Sequence, residues 1–324
     1  MSENRVAVVV VTWNSGKVIS GLLRSLPAGL AGVRWHLIVA DNASADDTVA
    51  TVHSWLAENE GTVQGCVVQT GSNAGYSAAI NLALAESRTH QGDPYTAALI
   101  LNPDIRLQAG CAERLLAALG GGSDGSGGAN GGMPAGITVP RILDEAGHLS
   151  HSLRREPTVL RALGEAVLGG RAGRYPRLGE VVLDESVYQA PTDADWATGA
   201  IMMISAECLD ACGPWDESFF LYSEETEFAL RARDRGFRTC LAPEAEAVHL
   251  GGESGVSARL WTLLTINRVR LYRRRHHLPA AAAYWSATLL RELPRAALGK
   301  RRSRSAAAGL LSPSRLRQPD RGMH

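Results

Sequence analysis

The chain has 324 residues, 45% hydrophobic and 20% charged, an ordinary composition for a globular protein with room for one large domain or two small ones. No run reaches the ~18 apolar residues of a membrane span, and five scattered cysteines complete no zinc set, so a spanning helix and a zinc module are excluded. The net charge of zero hides an asymmetry: from Asn267 onward 14 Arg and Lys face only Glu292 and Asp320, a surplus of +12 against −12 elsewhere. Reduced thiols in a cytoplasmic protein are expected, without a signal peptide, because Val6–Val11 is too short for an apolar targeting core.

Arg5–Thr12 (RVAVVVVT) suits a strand buried on both faces. A polar turn, Trp13 to Gly16, precedes a helical spacing of apolar residues over Val18–Leu26. Trp35–Ala40 gives a second strand, ending in Asp41-Asn42-Ala43-Ser44, and Thr48–Glu58 a helix burying Val49, Val52 and Leu56. Gln64–Gln69 is a short third strand, followed by Gly71 to Tyr76 and an Ala-rich helix over Ser77–Ser87. Tyr95–Leu101 forms a fourth strand that stops at Asn102-Pro103-Asp104, where Pro103 has no N–H to extend the ladder. The two polar side chains then sit past the strand's carboxyl end, where ligands bind in open α/β sheets. A carboxylate there can hold a divalent cation that a diphosphate also ligates. A strand-ending Asx/Pro turn is the other reading of the tripeptide alone.

Strand, polar turn and helix thus repeat three times, the pattern of a doubly wound sheet that binds a nucleotide. Neither GxGxxG nor GxxxxGK(S/T) follows the first strand, which argues against a dinucleotide oxidoreductase and a P-loop NTPase. Beyond a helix at Ala112–Leu119, Gly120–Gly132 reads as a flexible connector. Ile137–Ile142 is a strand, Asp144–Gly147 a turn, and the stretch to Asp195 is polar and weakly patterned. Trp196–Ala200 leads into a strand at Ile201–Ile204 and a short helix at Ala206–Cys212. In Phe219–Arg235, Ser223 is a candidate N-cap, Glu224, Glu225 and Glu227 suit the first turn, and Gly236 is a C′ stop. A final strand reads as two pieces, Arg238–Ala242 and Ala245–Leu250.

Seven segments stand out: VVVVTWN (Val8–Asn14), ADNAS with Asp47-Thr48, NAGYSAAIN (Asn73–Asn81), LNPD (Leu101–Asp104), WATGA (Trp196–Ala200), FFLYSEETEFALRARDRGF (Phe219–Phe237) and HLGGES (His249–Ser254). Together, in this order over about 250 residues, they resemble the family 2 glycosyltransferases, and most of all the rhamnosyltransferase-type branch. The resemblance implies a GT-A fold: a doubly wound, mostly parallel central sheet flanked by helices, here with a basic helical C-terminal extension. It divides the chain into a nucleotide-sugar-binding half (1–119), the Gly-rich loop (120–132), an acceptor-binding and catalytic half (133–265) and a basic tail (266–324), partly disordered.

The activity implied is transfer of a sugar from a nucleotide diphosphate to an acceptor, with inversion at the anomeric carbon and with Mg2+ or Mn2+. Thr12, Asn14 and Asp41 would hold base and ribose, and Asn73, Gly75 and Asn102 would border the nucleotide. Asp104 would ligate the cation, with His249 near it and the diphosphate. Asn102 replaces the first Asp of the family's frequent Asp-x-Asp, which leaves one anionic ligand and a weaker metal site. Glu225 would be the base that takes the acceptor's proton, with Glu224 its neighbour, and it stands where the family usually has Asp. Trp196, Gly199 and Ala200 would line the sugar and acceptor side, with Asp216 and Tyr222 as further candidates.

From residue types alone, Asp41 equally suits an Asx turn, Gly75 a loop needing positive φ, and His249 an ordinary surface or core position. Likewise Glu224 and Glu225 suit the helix dipole, and Glu227 an i,i+4 pair with Arg231. A base at a helix N-terminus is expected to be charged and only modestly basic. The donor implied is a nucleotide-activated deoxyhexose such as dTDP-rhamnose, the acceptor a glycan, a lipid-linked glycan or a small molecule. The alternatives are a non-catalytic nucleotide- or glycan-binding member of the fold and a sugar nucleotidyltransferase. In the tail, Asn267–His277 (NRVRLYRRRHH) fits either amphipathic attachment to anionic lipid, on the inner face of the plasma membrane, or a solvated helix capping the domain. Nucleic acid is not an expected partner, since basic residues are confined to one end and aromatics are few.

Overall fold

The computed structural model describes residues 5–89, 94–120, 132–251 and 257–317. Most of the 120–132 connector, and Gly252 to Ser254 of the last motif, lie outside the described residues. The first half runs β1 (Arg5–Thr12), α1 (Gly16–Gly29), β2 (Arg34–Asp41), α2 (Thr48–Glu58), β3 (Gln64–Gln69), α3 (Tyr76–Thr89), β4 (Ala97–Leu101), β5 (Ile105–Leu107) and α4 (Cys111–Gly120). The second half opens with β6 (Ala135–Leu143), β7 (Leu149–Ser150), β8 (Leu153–Arg154) and α5 (Val159–Leu168). Two 3-10 turns follow, Gly169–Arg174 and Glu185–Gln189, then β9 (Thr192–Ala194), β10 (Trp196–Ala197), β11 (Ile201–Ser205) and α6 (Ala206–Cys212). It ends with α7 (Glu224–Asp234), β12 (Arg238–His249), α8 (Ala258–Arg275), α9 (Leu278–Ala297), α10 (Arg301–Leu310) and α11 (Pro313–Arg317).

The main sheet has the order β3-β2-β1-β4-β11-β6-β12-β5, with β7 beside β6 and β9 beside β12. β3, β2, β1 and β4 are mutually parallel. β11 is inserted antiparallel to both β4 and β6, so β6 and its parallel neighbour β12 run the same way as β4. The two-residue period of β1 explains why it is apolar throughout. Val6, Val8 and Val10 pack on one face with Leu22, Leu23 and Leu26 of α1, while Ala7, Val9 and Val11 pack on the other with Ala79, Ile80 and Ala83 of α3. The chain leaves β1 toward β2 on one side and reaches β4 on the other, so a switch point opens at the carboxyl ends of these two strands.

Several expectations are corrected. The two terminal strand pieces are one strand, β12, kinked by a register shift between Ala242 and Glu246 around Pro243. Residues directly after Asp104 form β5, which pairs antiparallel with the end of β12. Ser223 occupies the N-cap position of α7 but makes no side-chain cap, because its φ is +75°. The Gly236 stop holds: its φ is +88°, and Phe237 N–H bonds the Ala232 carbonyl, closing the helix as a left-handed cap does.

The boundary drawn at 265/266 falls inside α8. That helix is packed on the body through its basic side chains as well as its apolar ones. Arg268 pairs with Glu165 and Glu180, Arg274 with Asp216 at 2.5 Å and Arg275 with Asp234 at 2.7 Å. Part of the charge split between tail and body is therefore neutralised within the fold. Among the described residues no helix is long and apolar enough to cross a membrane.

Candidate active site

The nucleotide end lies at the carboxyl ends of β1 and β2. Thr12 Oγ donates to Asp41 Oδ1 at 2.7 Å, Ser44 Oγ donates to the same oxygen at 2.6 Å, and Ser44 N–H donates to Oδ2 at 2.9 Å. Both Thr12 and Asp41 are fully buried, so the Asx turn accounts for Asp41, and neither side chain is displayed to a base or ribose. Their visible work is to fold the loop that carries Asn14, whose N–H donates to Ser44 Oγ at 2.8 Å and whose Oδ1 accepts Ala45 N–H at 2.8 Å. Trp13, beside it at the switch point, is 56% exposed, an unusual state for an indole. Sequence reasoning passed over it, although an aromatic directly after the first strand was the signal.

The Asn73–Tyr76 loop is held by Asn42, another residue missed, which accepts Ala74 N–H and donates to the Gly75 carbonyl, both at 3.2 Å. Gly75 has φ +95°, and a Cβ there would stand 2.5 Å from the Phe220 carbonyl oxygen. What approaches this glycine is thus the Phe220 backbone, to which Tyr76 N–H bonds at 2.9 Å.

The β5–β12 ladder sets His249 opposite Ile105 and brings its Nε2 to 3.2 Å from Asp104 Oδ2. Leu250 N–H bonds the Asp104 carbonyl at 3.1 Å, and Asn102 N–H bonds the Ala200 carbonyl at 2.9 Å, which ties the Asn-Pro-Asp turn to the WATGA segment. Asp104 and His249, 145 residues apart in sequence, form one pair. Among the described residues no cluster of three His, Cys, Asp or Glu could hold a metal ion. A carboxylate with an imidazole still suits Mn2+ or Mg2+ when phosphate oxygens and water complete the coordination, so the residues fit a cation bound together with a diphosphate.

From this pair a cleft of about 430 Å³ runs inward, walled by Asn102, His249, Tyr76, Trp196, Arg154 and Glu225. Gly199 gives Glu225 its place: a Cβ at 199 would stand 3.3 Å from Glu225 Cβ, and the Gly199 carbonyl accepts Tyr76 Oη–H at 3.0 Å. Trp196 is pinned by its Nε1–H to the Arg155 carbonyl at 3.1 Å. Tyr222 and Ser223 are consecutive non-glycine residues in the left-handed region, φ +68° and +75°. Such strain persists where surroundings over-determine it. Here the fully buried Asn267 of α8 donates to the Leu221 carbonyl at 3.0 Å and the Tyr222 carbonyl at 3.2 Å.

The two glutamates that follow are electrostatically unlike. Glu224 is buried with Oε2 unpartnered, and burial, reinforced by the neighbouring Glu225, drives its carboxyl well above the usual range. Glu225 is raised to about 6 by burial, opposed by backbone N–H groups at the start of α7 and by Arg154. This corrects the expectation of a modestly basic carboxylate: desolvation outweighs the helix N-terminus, and the group is poised near neutrality. Arg154, missed in the sequence because it lies in the unpatterned stretch, donates to the His151 carbonyl at 2.5 Å and lies 5.8 Å from the Trp196 ring. Replacing it by Gln removes a positive charge that favours ionised Glu225. The acid limb of kcat against pH is expected to move to higher pH in Arg154→Gln, and an unmoved limb would uncouple Arg154 from the base.

Two candidates lie elsewhere. Asp216 does not line the cleft; its Oδ1 accepts Ser218 N–H at 2.9 Å and its Oδ2 pairs with Arg274 of α8, so it serves packing. Glu227 pairs with Arg231 at 2.8 Å, and Arg231 also holds the Cys212 and Pro214 carbonyls.

Known proteins supply an independent comparison. The family described as Glycosyl transferase family 2 matches residues 7–139, and Glycosyltransferase like family 2 matches residues 151–274. The chain is 27% identical over 248 residues to N-acetylglucosaminyl-diphospho-decaprenol L-rhamnosyltransferase of Mycobacterium tuberculosis, covering 75% of each chain. It is 25% identical over 244 residues to the low-salt glycan biosynthesis hexosyltransferase Agl10 of Haloferax volcanii, covering 75% of this chain and 66% of that one. Among solved structures, the mannosyltransferase PcManGT of Pyrobaculum calidifontis, in complex with GDP-Man and Mn2+, superposes with a TM-score of 0.57 at 18% identity, over 97% of this chain and 78% of that one.

Proposed function

We propose that this chain, which belongs to glycosyltransferase family 2 and has the GT-A fold, moves a deoxyhexose, rhamnose first among the choices, from a nucleoside diphosphate to a lipid-linked acceptor with inversion. The observation that carries the reading is one cleft with His249 of the Asp104–His249 pair at one end and Glu225 on its wall. The sugar identity draws on the rhamnosyltransferase name of the mycobacterial relative, and the lipid-linked acceptor on the diphospho-decaprenol in it.

In this reading Trp13 offers its exposed face to the base, where stacking needs no particular edge chemistry. Asp104 and His249 would hold Mg2+ or Mn2+, which when bound stabilises negative charge on the departing diphosphate. Glu225 accepts the proton of the acceptor hydroxyl as its oxygen bonds the anomeric carbon, on the face opposite the breaking bond to phosphate. Burial of Glu224 beside it disfavours a second charge on the wall. Trp196 and Tyr76 form the aromatic sides that position the sugar and exclude water. A non-catalytic binder would have no use for a carboxylate held near neutrality in such a cleft.

The test is calorimetric titration with a panel of nucleotide sugars, each with and without Mn2+ or Mg2+. A dTDP-deoxyhexose is expected to bind, and only with the cation at full affinity. Binding of a nucleoside triphosphate in preference to every nucleotide sugar would overturn the reading in favour of a nucleotidyltransferase.

A further inference from the structure

Helices α5 and α9 pack side by side through Ala162, Ala281, Tyr284 and Ala287. Their outward faces are unlike an ordinary solvated surface. None of the exposed positions of α9 is charged; among them Ala283, Ser286, Leu290, Leu293 and Ala297 recur every three or four residues, and Leu298 beyond them is 80% exposed. On α5 the exposed positions are Leu160, Leu163, Val167 and Leu168, with Val167 78% exposed. Each helix has one acidic residue, and both are turned inward: Glu165 to Arg268 and Arg291, and Glu292, buried, to Trp261 Nε1–H at 3.0 Å. Uncharged apolar faces on two helices packed side by side mark a surface that something covers.

The charges that flank the face are all of one sign. Arg171, Arg174 and Arg177 are exposed just after α5, and Lys300, Arg301 and Arg302 just after α9. The two flanks converge, since Gly169 lies beside the Arg295 guanidinium. Glu292 is the one carboxylate between residues 278 and 317. The cleft reaches the ends of these helices, for Gly169, Gly170, Gly173 and Arg291 are part of its wall.

We propose that the α5–α9 face is a docking surface for an anionic lipid bilayer, with the leucines and Val167 at the boundary of headgroups and acyl chains and the flanking arginines on the headgroups. An uncharged apolar face with a basic rim is what an interfacial helix pair requires, and each rim residue adds attraction to an anionic leaflet. A second copy of the chain is disfavoured as occupant, because a two-fold contact would set one basic rim against the other. This assigns lipid contact to α5 and α9 and not to Asn267–His277, three of whose arginines, Arg268, Arg274 and Arg275, pair with the body. The docking rests on the surface alone; its consequence, that a membrane-anchored acceptor reaches the cleft past Gly169–Gly173, rests on the glycosyltransferase reading above.

The test is cosedimentation of the full chain with vesicles of equimolar phosphatidylcholine and phosphatidylglycerol. Binding is expected, weaker on phosphatidylcholine alone and weaker at raised salt. The triple variant Val167→Ser, Leu290→Ser, Leu293→Ser is expected to lower the partition coefficient about tenfold or more, with its thermal melt and its calorimetric donor binding unchanged. Absence of vesicle binding in the parent chain, or equal binding of parent and variant, would overturn the proposal. So would a concentration-dependent dimer that the variant abolishes without any vesicle binding, which would identify a second copy as the occupant. Vesicle binding lost in the variant while no nucleotide sugar binds either chain would sustain the docking surface and sink the enzymatic reading instead.

Discussion

Glu225→Gln is expected to lower kcat by about 10²–10⁴ while leaving the affinity for the nucleotide sugar nearly unchanged. The amide keeps the size and the hydrogen-bonding reach of the side chain but cannot take a proton. The group stands on the cleft wall against Gly199, away from the Asp104–His249 pair that would meet the diphosphate. In the parent enzyme the carboxyl is raised to about 6. It is therefore protonated and idle below that pH and ionised above it, so kcat should fall as pH drops through about 6. In the variant that limb should vanish. Glu227→Gln serves as the control: it weakens the pair with Arg231, which costs stability of about 1 kcal/mol, and should leave turnover intact. Turnover measured against acceptor, beside donor binding by calorimetry, separates the cases. A dead Glu227→Gln with a healthy Glu225→Gln would move the base by one face of α7.

Asp104→Ala is expected to abolish the response of donor binding to Mn2+ and to lower kcat/KM by about 10²–10⁴, the several kcal/mol that a cation contributes to a departing diphosphate. Asp104 supplies the one carboxylate of its pair, and His249 alone is a poor ligand for a hard cation. The fold should survive, because the link that closes the turn here runs from Leu250 N–H to the Asp104 backbone carbonyl, which alanine retains. Full turnover in the variant, with Mn2+ titrating as in the parent, would remove Asp104 from the metal site.

How much of this was legible in the sequence differs between the halves. β1 and β4 are apolar at every interior position, and β2 at all but His36, because both faces are covered, and such runs announce themselves. The Asn-Pro-Asp turn was legible for a related reason, since proline cannot continue a buried ladder. Residues 143–195 were not, because apart from α5 their elements are two or three residues long or 3-10 turns held from outside. Arg155, for instance, gathers the Gly179 and Val181 carbonyls, and Tyr188 Oη both donates to the Val182 carbonyl and accepts Leu153 N–H. The insertion of β11 against its neighbours' direction leaves no mark in its own pattern, which reads the same either way. The site was legible as residue types and not as energetics. Glu224 and Glu225 could be pointed to, but the burial that raises Glu224 well above the usual range and Glu225 to about 6 comes from the closed cleft. The tail left two readings open for a comparable reason: the partners of Arg268, Glu165 and Glu180, lie 103 and 88 residues earlier in the chain.

The strained pair Tyr222–Ser223 bears on how the enzyme comes into being during synthesis. Its brace, Asn267, is 46 residues downstream of Leu221. By the time α7 leaves the ribosome, β1 to β4 and β11 can already be paired, yet two left-handed residues at the mouth of α7 lack the bonds that hold them. Relaxation of that backbone would swing Glu225 off the cleft wall, since it is the next residue but one. In a chain that ends before α8, the Leu221 and Tyr222 carbonyls lack the Asn267 bonds that fix the loop ahead of Glu225.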